Sequence, residues 1–441
     1  MPTHASGSAN LDFGSLVQAD RVHRSVYTDP AVFDEEMARI FGFVWLYVGH
    51  ESQVPRAGDY VTAWMGREPV ILIRHQDGLL HVLSNRCPHR GAMIVTEERG
   101  SSGELLRCPY HGWTFRTNGE LLLAPMRDAY AGRYDLSDRA CFGMRRVTRV
   151  ATHRGFVFAS LAPEGAPLPD LLTYLGATAA CIDLIVDRSP EGEVDVSGGV
   201  HRYRVRANWK QQLENVNDAY HANFAHACST DDRNRQFKRR YGDSTGPYMD
   251  DAERQSKWDS MTVTALDWGS SYIGAMPFNH KDRAGPLVEA HRAALRERHP
   301  PERVEAIMEE RFHNATVYPS VVFQLASSHV RVLRPVAADC TEIRVYPIRL
   351  KGAPEEINRQ LVRYLNITHA AASLIQTDDV EMFRRVQAGL ASEGLDWVWF
   401  NRYMGDESEH NGVRRSRAGT SELGMRNQYR SWLRYMDAAP A

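Results

Sequence analysis

The sequence predicts an α+β protein with two domains, on three observations. The chain has 441 residues, enough for two domains of roughly 100–200 residues each. Short runs rich in β-branched and aromatic residues, separated by Gly and Pro turns, fill residues 44–162. A proline-rich segment at 163–169 follows, and the chain after it mixes helical and strand patterns. We therefore expect an all-β first domain and a second domain of helices and strands.

An N-terminal arm and one helix precede the first domain. Residues 1–27 are polar, and Asp29-Pro30 supplies a capping residue followed by proline in the first helical turn. Phe33, Met37 and Ile40 then form an apolar stripe with helical spacing. This pattern predicts a helix of about ten residues that begins at Pro30.

The remaining elements follow from periodicity. Six runs predict the strands of the first domain: Trp45–Val48, Asp59–Met65, Val70–Arg74, Leu79–Val82, Gly112–Phe115 and Gly155–Ser160. Strands are predicted in the second domain at His201–Arg206, Thr316–Leu325, His329–Pro335 and Thr341–Leu350. Helices are predicted at 170–182, Asn208–His226, Leu287–Phe312 and, as one helix or two, Glu355–Leu390. Residues 227–285 are polar and irregular, which predicts a long excursion over the surface.

Composition and charge exclude several classes of protein. Hydrophobic residues make up 43% and charged residues 24% of the chain, as in ordinary globular proteins. The net charge of −2 provides no basic field for nucleic acid or acidic membranes. No apolar stretch is long enough to span a bilayer and no signal peptide is visible, so we expect a cytoplasmic protein without a membrane partner. Six cysteines are too few for a disulfide scaffold, so closely spaced cysteines predict a metal site.

Two cysteine–histidine pairs carry the strongest signal. Cys87-Pro-His89-Arg-Gly and Cys108-Pro-Tyr-His111-Gly-Trp are separated by eighteen residues between His89 and Cys108. Two such loops could present four ligands to one centre. Two Cys and two His suit tetrahedral zinc or a [2Fe–2S] cluster with Cys₂ on one iron and His₂ on the other. The mixed C-x-H form favours the cluster, because zinc sites more often pair C-x₂₋₄-C with H-x₃₋₅-H.

A second group of ligands lies on the predicted helix Asn208–His226. Glu214, Asp218 and His221 share one helix face, and a face with such groups is costly to bury without a use. His226 lies about 140° from His221 around an ideal helix, so the helix must distort or end between them if both bind one metal. If that metal is non-heme Fe(II), a carboxylate should complete a 2-His-1-carboxylate triad.

Asp379 is the preferred third ligand. It lies on an otherwise apolar stripe of the predicted helix, so its carboxylate is expected to be buried and to need a partner. Asp378 shares its face with Arg385 and is the weaker candidate. Hydrogen-bonded surface histidines remain the alternative interpretation of His221 and His226.

Together these motifs resemble the Rieske non-heme iron ring-hydroxylating oxygenases, large (α) subunit. The resemblance implies that Cys87, His89, Cys108 and His111 hold a [2Fe–2S] Rieske cluster, and that His221, His226 and Asp379 bind a mononuclear Fe(II). It implies three segments: an arm and helix at 1–43 packing on the catalytic domain, a Rieske domain at 44–165, and a catalytic domain at 166–441. The catalytic domain is expected to be an antiparallel sheet flanked by helices, of the helix-grip, START-like type.

The resemblance also implies an assembly and electron donors. Asp218 matches a carboxylate that joins a Rieske histidine of one subunit to an iron-ligand histidine of its neighbour, here His111 to His221. The expected assembly is a head-to-tail homotrimer, or an α₃β₃ complex with a small β subunit. No G-x-G-x-x-G fingerprint follows a strand, so electrons are expected from a flavin reductase that uses NAD(P)H, with or without a ferredoxin.

The expected activity is hydroxylation of an aromatic ring with O₂. The spacing of Glu214 and Asp218 resembles the benzoate, salicylate and terephthalate branch, which favours cis-dihydroxylation or hydroxylation of an aromatic carboxylate. Such a substrate needs a cation, and strand arginines are available, but a solvated strand face is the favoured interpretation for each of them. The candidates are Arg202, Arg204, Arg206, Arg331 and Arg334. Alternatives are O- or N-demethylation by a Rieske monooxygenase, a Rieske electron-transfer protein without catalysis, and a zinc-stabilised binding module.

Overall fold

The structure is a computed structural model that describes residues 12–130, 133–227, 251–275 and 285–438, without the side chains of 251–254. It confirms an α+β fold with a β-rich first domain and a mixed second domain. The segment boundaries at 43/44 and 165/166 stay predictions. Within the described ranges, no helix has both the length and the apolar character that crossing a bilayer requires.

The elements are numbered here in chain order. The first twelve strands are β1 (Arg21–His23), β2 (Leu46–His50), β3 (Asp59–Met65), β4 (Glu68–Arg74), β5 (Leu80–Ser84), β6 (Arg99–Ser101), β7 (Leu105–Arg107), β8 (Thr114–Arg116), β9 (Leu121–Leu123), β10 (Arg149–His153), β11 (Phe156–Ser160) and β12 (Val194–Asp195). The others are β13 (His201–Val205), β14 (Thr262–Ala265), β15 (Ser271–Gly274), β16 (Phe312–Val317), β17 (Val321–Gln324), β18 (His329–Ala337), β19 (Cys340–Pro347), β20 (Arg349–Leu350), β21 (Trp397–Trp399), β22 (Glu407–His410) and β23 (Val413–Ser416). The α-helices are α1 (Ser25–Thr28), α2 (Pro30–Arg39), α3 (Arg139–Phe142), α4 (Leu171–Leu175), α5 (Thr178–Asp187), α6 (Trp209–Val216), α7 (Ala222–Ala225), α8 (Asp251–Asp259), α9 (Pro286–Arg296), α10 (Pro301–Glu309), α11 (Glu355–Thr368), α12 (Gln376–Leu390) and α13 (Leu423–Asp437).

The first domain is built from three small antiparallel sheets. Their strand orders are β10-β11-β2, β5-β4-β3-β6 and β7-β8-β9. Buried side chains around Trp113 and Phe115 form a separate small core beneath the loops that carry Cys87 and Cys108. The loops with the predicted cluster ligands therefore stand on a core of their own.

The second domain is organised by one nine-stranded antiparallel sheet, in the order β13-β19-β18-β17-β16-β15-β14-β23-β22. Along β18, side chains alternate between two faces, as the period of a strand requires. Arg331 and Leu333 point to one face, and Val332 and Arg334 to the other. The Phe323 ring of this domain packs edge-on against Phe156 of the first domain, with 5.0 Å between centroids, so the two domains share one core.

Several sequence-based predictions are confirmed. The first long helix begins at Pro30, where the Asp29 side chain accepts a hydrogen bond from the Ala31 amide. The first-domain strands lie where the β-rich runs predict them, to within a few residues. The segment Glu355–Leu390 forms two helices, α11 and α12.

Other predictions are wrong. The helix predicted over Asn208–His226 stops at Val216, and the short helix α7 separates His221 from His226. The surface excursion predicted over 227–285 contains β14 and β15, two largely buried strands of the central sheet, because polar Thr and Ser alternate there with the apolar side chains that enter the core. Residues 228–250 and 276–284 lie outside the described residues. The strand predicted at Thr316–Leu325 is two strands, β16 and β17, joined by a turn through Pro319.

A buried charge joins the N-terminal helix to the second domain. Glu36, on α2, is fully buried and accepts hydrogen bonds from the Trp209 and Trp432 indoles, at 2.8 and 2.7 Å. It also pairs with the equally buried Lys210 ammonium. A buried ion pair adds little net stability, but loss of one partner leaves an uncompensated charge in the core.

We therefore expect Glu36→Ala to destabilise the protein by about 3–5 kcal/mol, a fall of roughly 10 °C in melting temperature. Glu35→Ala is the matched control, because its carboxylate is 38% exposed and, among the described residues, pairs with Arg39 alone, one turn away, which is worth at most about 1 kcal/mol. Thermal unfolding followed by circular dichroism measures both. Equal shifts for the two variants would contradict the role assigned to the buried carboxylate.

Candidate metal centres

The break after α6 brings two histidines to one point. The helix ends at Asn217, whose side-chain amide donates to the Leu213 carbonyl at 2.9 Å and whose oxygen accepts from the Ser271 hydroxyl at 2.8 Å. The Asp218 carboxylate then accepts from the Tyr220 amide at 2.8 Å and turns the chain. As a result the rings of His221 and His226 lie 5.1 Å apart between centroids.

Asp379 meets both rings from helix α12. Its Oδ1 lies 3.5 Å from His221 Nε2 and 3.3 Å from His226 Nε2. Within the described ranges, these three residues are the single group of three or more candidate ligands whose donor atoms all lie within 4.8 Å of one another. Three donors on one face of an octahedral ion lie roughly 3 Å apart when the metal bonds are about 2.1 Å, so the arrangement fits a facial triad with little movement.

Further contacts orient each ligand. His221 Nδ1 faces Asp218 Oδ2 at 3.5 Å, and His226 Nδ1 faces Asp378 Oδ2 at 3.4 Å. Both rings thus present Nε2 to the centre and Nδ1 to a carboxylate, the arrangement that fixes the tautomer of a metal-bound imidazole. Asp378, the weaker candidate ligand by sequence, thus lies behind His226 while its neighbour Asp379 meets both rings, so two adjacent acids at a helix start take different positions.

Electrostatics at this centre favour charged carboxylates. Burial alone would raise the pKa of Asp379, but the hydrogen bond and charge of His226, with His221 and Asn215, hold it below its usual value. Burial would lower the pKa of His221, and Asp218 and Asp379 together raise it. A cation between these groups would take the place of those protons.

A glutamine fixes the spacing between α12 and α6. Gln387 Oε1 accepts from the Asn208 amide at 2.9 Å and from Gln211 Nε2 at 2.8 Å, while its amide donates to the Tyr27 carbonyl at 3.2 Å. Because Gln387 lies two turns beyond Asp379 on the same helix, this junction sets where the carboxylate meets the histidines.

The second centre consists of two loops with the same backbone pattern. In the first loop the Cys87 amide donates to the Ala92 carbonyl at 2.8 Å, and in the second the Cys108 amide donates to the Trp113 carbonyl at 2.8 Å. Gly91 and Gly112 hold equivalent positions with φ of 75° and 71°, where a side chain would be strained. The two cysteine–histidine motifs therefore form a matched pair of ligand loops.

The side chains of these loops fit a cluster better than a single ion. The rings of His89 and His111 lie 4.7 Å apart, and His89 Nδ1 is buried without a hydrogen-bond partner among the described residues. Burial and the neighbouring Cys108 raise the pKa of the Cys87 thiol to about 11, so a metal must supply the charge that favours a thiolate. The four residues do not bring three donors within 4.8 Å, as one tetrahedral zinc would require, whereas a two-iron cluster needs only two pairs.

The sequence does not predict the environment of two arginines: it favours a solvated strand face for Arg331, and it gives no signal for Arg402. Arg331, on β18, is only 3% exposed, and it lies on the sheet face that looks toward the histidines. Arg402 lies beside Asp218, with Nη1 3.7 Å from Oδ1, and is held by Glu422 at 2.7 Å and by the Tyr220 ring at 3.9 Å. Strand alternation predicts the burial of Arg331 only when the buried face of the strand is known. No local sequence pattern predicts that Arg402 lies beside Asp218.

Comparisons with known proteins agree with this geometry. Residues 44–140 match the family described as the Rieske [2Fe-2S] domain, and residues 196–438 match the ring hydroxylating alpha subunit (catalytic domain). The chain is 33% identical over 404 residues to the toluate 1,2-dioxygenase subunit alpha of Pseudomonas putida, covering 88% of this chain and 84% of that protein. It is 33% identical over 397 residues to the anthranilate 1,2-dioxygenase large subunit of Acinetobacter baylyi, covering 89% and 82%. A solved naphthalene 1,2-dioxygenase from Rhodococcus sp. bound to indole superposes with a TM-score of 0.78 at 25% identity, covering 94% of each chain.

The triad geometry generates a prediction for Asp379 and Asp378. Asp379→Ala removes the donor between the two histidines, and we expect it to abolish mononuclear iron binding while the visible spectrum of the cluster persists. Asp378→Asn changes only the carboxylate behind His226, for which a loss of about 10- to 100-fold in iron affinity is expected. Iron analysis and absorption spectra of the purified variants measure both. The triad is wrong if Asp379→Ala retains its mononuclear iron.

Proposed function

The chain belongs to the family of Rieske-type ring-hydroxylating oxygenase α subunits, and from that premise we propose that it hydroxylates the ring of an aromatic carboxylate. Family membership makes the chain a catalytic oxygenase subunit that carries a Rieske [2Fe–2S] cluster and a mononuclear iron. It thereby excludes the electron-transfer protein without catalysis and the zinc-stabilised binding module. The proposal concerns which residues hold the metals, which substrate enters and how subunits assemble.

We assign the ligands as the sequence predicts them. Cys87 and Cys108 would hold one iron of the cluster and His89 and His111 the other, while His221, His226 and Asp379 would hold the mononuclear iron. The bound metals supply two electrons and an open coordination site for O₂. The protein's contribution is to fix both imidazoles by carboxylates, to bury the centre and to orient the substrate.

The substrate assignment rests on one observation, a buried cation without a counter-ion. Arg331 forms no ion pair with any residue in the part of the chain that the structure describes, and its Nε is buried without a hydrogen-bond partner. A desolvated, unpaired guanidinium is costly, so it calls for an anionic ligand. A carboxylate fits, because the guanidinium fork matches its two oxygens.

Arg331 is linked to the iron site through its neighbours. The charge of Arg331 shifts the pKa of Tyr203, which the Asp379 charge also shifts. It likewise shifts the pKa of His313, together with the charge of His221. Burial, together with positive charge from His221 and Arg331, lowers the pKa of His313 to about 4. Burial also lowers the pKa of His329 and His369, whose rings lie 4.9 Å apart. Arg331 thus lies as a cation among neutral polar groups, which suits an aromatic ring that carries a single negative charge.

The relatives support the same class of substrate. Two of them are named for toluate and anthranilate, which are aromatic carboxylates, and both match at 33% identity. A third, the 2-halobenzoate 1,2-dioxygenase large subunit of Burkholderia cepacia, is 30% identical. Their names and the unpaired Arg331 point to one substrate chemistry.

We further propose a head-to-tail trimer in which Asp218 connects the two kinds of centre between neighbouring subunits. Exposed apolar side chains lie near each kind of centre. Tyr110 and Met126, 57% and 81% exposed, lie near the cluster loops, and Phe224, 66% exposed, lies close to His226 in the chain. Such surfaces are usual at protein contacts. Asp218 keeps 20% of its side chain exposed, so a histidine of a neighbour can reach it. Electrons would come from a separate flavin reductase, with or without a ferredoxin, and a small β subunit would complete the alternative α₃β₃ assembly.

The function itself is tested by one turnover. The chemically reduced holoenzyme is mixed with ¹⁸O₂ and one of three compounds, benzoate, toluene or anisole, in separate reactions. Mass spectrometry then measures the masses of the products. We expect benzoate to give a product with two labelled oxygens. A product with one labelled oxygen would indicate monooxygenation, and loss of the anisole methyl group would indicate demethylation. Product from toluene but not from benzoate would overturn the carboxylate assignment.

Arg331→Met tests the proposed carboxylate contact. Removing one partner of a buried charge pair costs about 2–5 kcal/mol, so kcat/KM for benzoate should fall by about 30-fold or more. Turnover of toluene, which has no charge, should not fall. Arg204→Met is the matched control, since that strand arginine has a side chain 62% exposed. An equal loss with both substrates would mean that Arg331 acts on the fold and not on the carboxylate.

Asp218→Asn tests the proposed connection between centres. The amide keeps the size of the side chain but removes its charge. With excess iron supplied so that both metals are bound, oxidation of the reduced cluster by O₂ and substrate should slow about 10- to 100-fold. Stopped-flow absorption of the cluster measures this rate. Asp378→Asn, loaded with iron, is the control and should retain it. An unchanged rate in Asp218→Asn would contradict the connection.

A further inference from the structure

A cavity lies on the side of the central sheet opposite to Arg331. Its volume is about 380 Å³, and it is lined by both domains. Trp64 of β3 and Tyr47 of β2 contribute from the first domain, and Val332 and Arg334 of β18 from the second. Because neighbouring residues of β18 face opposite ways, this cavity is separated from the iron site by the thickness of the sheet.

The second-domain wall of the cavity carries excess positive charge. Arg202, Arg344 and Val332 lie opposite one another across three strands, and so do Arg204, Glu342 and Arg334. The described residues of this sheet face provide four guanidinium groups against the one carboxylate of Glu342, and Glu98 of the first domain pairs with Arg202. Burial lowers the pKa of Arg334, Glu342 opposes this effect, and Arg344, Arg204 and Arg202 add to it by repulsion.

Arg334 is held ready for a ligand. Its guanidinium lies 3.6 Å from the centroid of the Trp64 ring, which fixes its plane. Its nearest carboxylate oxygen is 3.9 Å away, on Glu342, which is beyond hydrogen-bond distance, and its Nε has no partner among the described residues. Tyr47, 6% exposed at the cavity wall, also has a hydroxyl without a hydrogen-bond partner there. These are unused donors in a cavity of mixed lining, which combines apolar side chains with polar ones that include Gln53, Thr62, Ser320 and the Glu98 carboxylate.

The apolar walls select the kind of anion. Leu46, Val48 and Val61 of the first domain and Val332 of β18 are among the apolar residues that line the cavity. A small inorganic anion would leave these side chains uncovered, whereas an aromatic carboxylate would cover them and reach Arg334 with its charge. We propose that this cavity is a second, non-catalytic binding site for an aromatic carboxylate, which joins the first domain to the outer face of the sheet. The proposal does not depend on the substrate assigned at the iron site.

Calorimetric titration of the oxidised holoenzyme with benzoate tests this site, because without a reductant no turnover occurs. We expect two molecules of benzoate per chain in the wild type. Arg334→Gln should weaken one of them about tenfold or more, the effect of losing a charge-assisted hydrogen bond, and leave the other. Arg331→Met should do the reverse. Arg359→Gln, which removes an exposed helix arginine paired with Glu356, should change neither.

A second variant guards against misfolding around the Trp64 contact. Val332→Phe narrows the cavity without changing charge and should weaken the same binding event as Arg334→Gln, with the cluster spectrum intact. Loss in Arg334→Gln but not in Val332→Phe would overturn the cavity as the site, as would a single binding event that Arg334→Gln leaves unchanged. Inorganic phosphate competing as well as benzoate would also overturn it, since the apolar walls would then play no part. A single event lost only in Arg334→Gln would support the cavity and contradict the substrate assignment.

Discussion

Two histidines five residues apart must face one point, and much of the second domain is arranged to meet that constraint. A continuous helix would place His221 and His226 about 140° apart. Instead, α6 ends at Val216. The Asn217 side chain that follows donates a hydrogen bond to the Leu213 carbonyl and accepts one from the Ser271 hydroxyl of the central sheet. Gly424 of the closing helix α13 packs against this break, where an added Cβ would come within 3.1 Å of Asn217. The iron site therefore depends on a packed interruption between sheet and helix.

The same sheet separates two chemical environments. On β18, Arg331 faces the buried histidines and Arg334 faces the cavity shared with the first domain. The described residues give neither guanidinium a carboxylate within hydrogen-bond distance, yet their neighbours differ: neutral imidazoles lie near Arg331, whereas Glu342, at 3.9 Å, and other arginines lie near Arg334. A strand reverses its side chains at every residue, so one nine-residue element can line two sites without bending.

What the sequence predicts depends on how local the cause is. The Asp29-Pro30 helix start follows from neighbouring residues and is confirmed, and the matching backbone of the two cysteine–histidine loops has equally local causes. The choice of Asp379 also follows from local periodicity, since one carboxylate interrupts an apolar stripe. The break at Asn217 does not, because the groups that stabilise it come from Ser271 and α13, distant in the chain. The solvated face that the sequence favours for Arg331 is wrong for a similar reason: alternation shows that a strand has two faces but not which face is buried.

Asp218 and Asp378, the carboxylates that face Nδ1 of His221 and His226, have different surroundings, and the difference bears on electron transfer between subunits. Asp378 belongs to the first turn of α12, where the helix dipole favours its charge. Asp218 lies in the turn between α6 and α7, fixed on one oxygen by the Tyr220 amide and approached by Arg402. Arg402 is itself anchored to Glu422 by its guanidinium and its backbone amide, both at 2.7 Å. A neighbouring subunit that reached Asp218 would therefore meet a carboxylate whose position and charge are already set, and little conformational entropy would be lost in forming the contact.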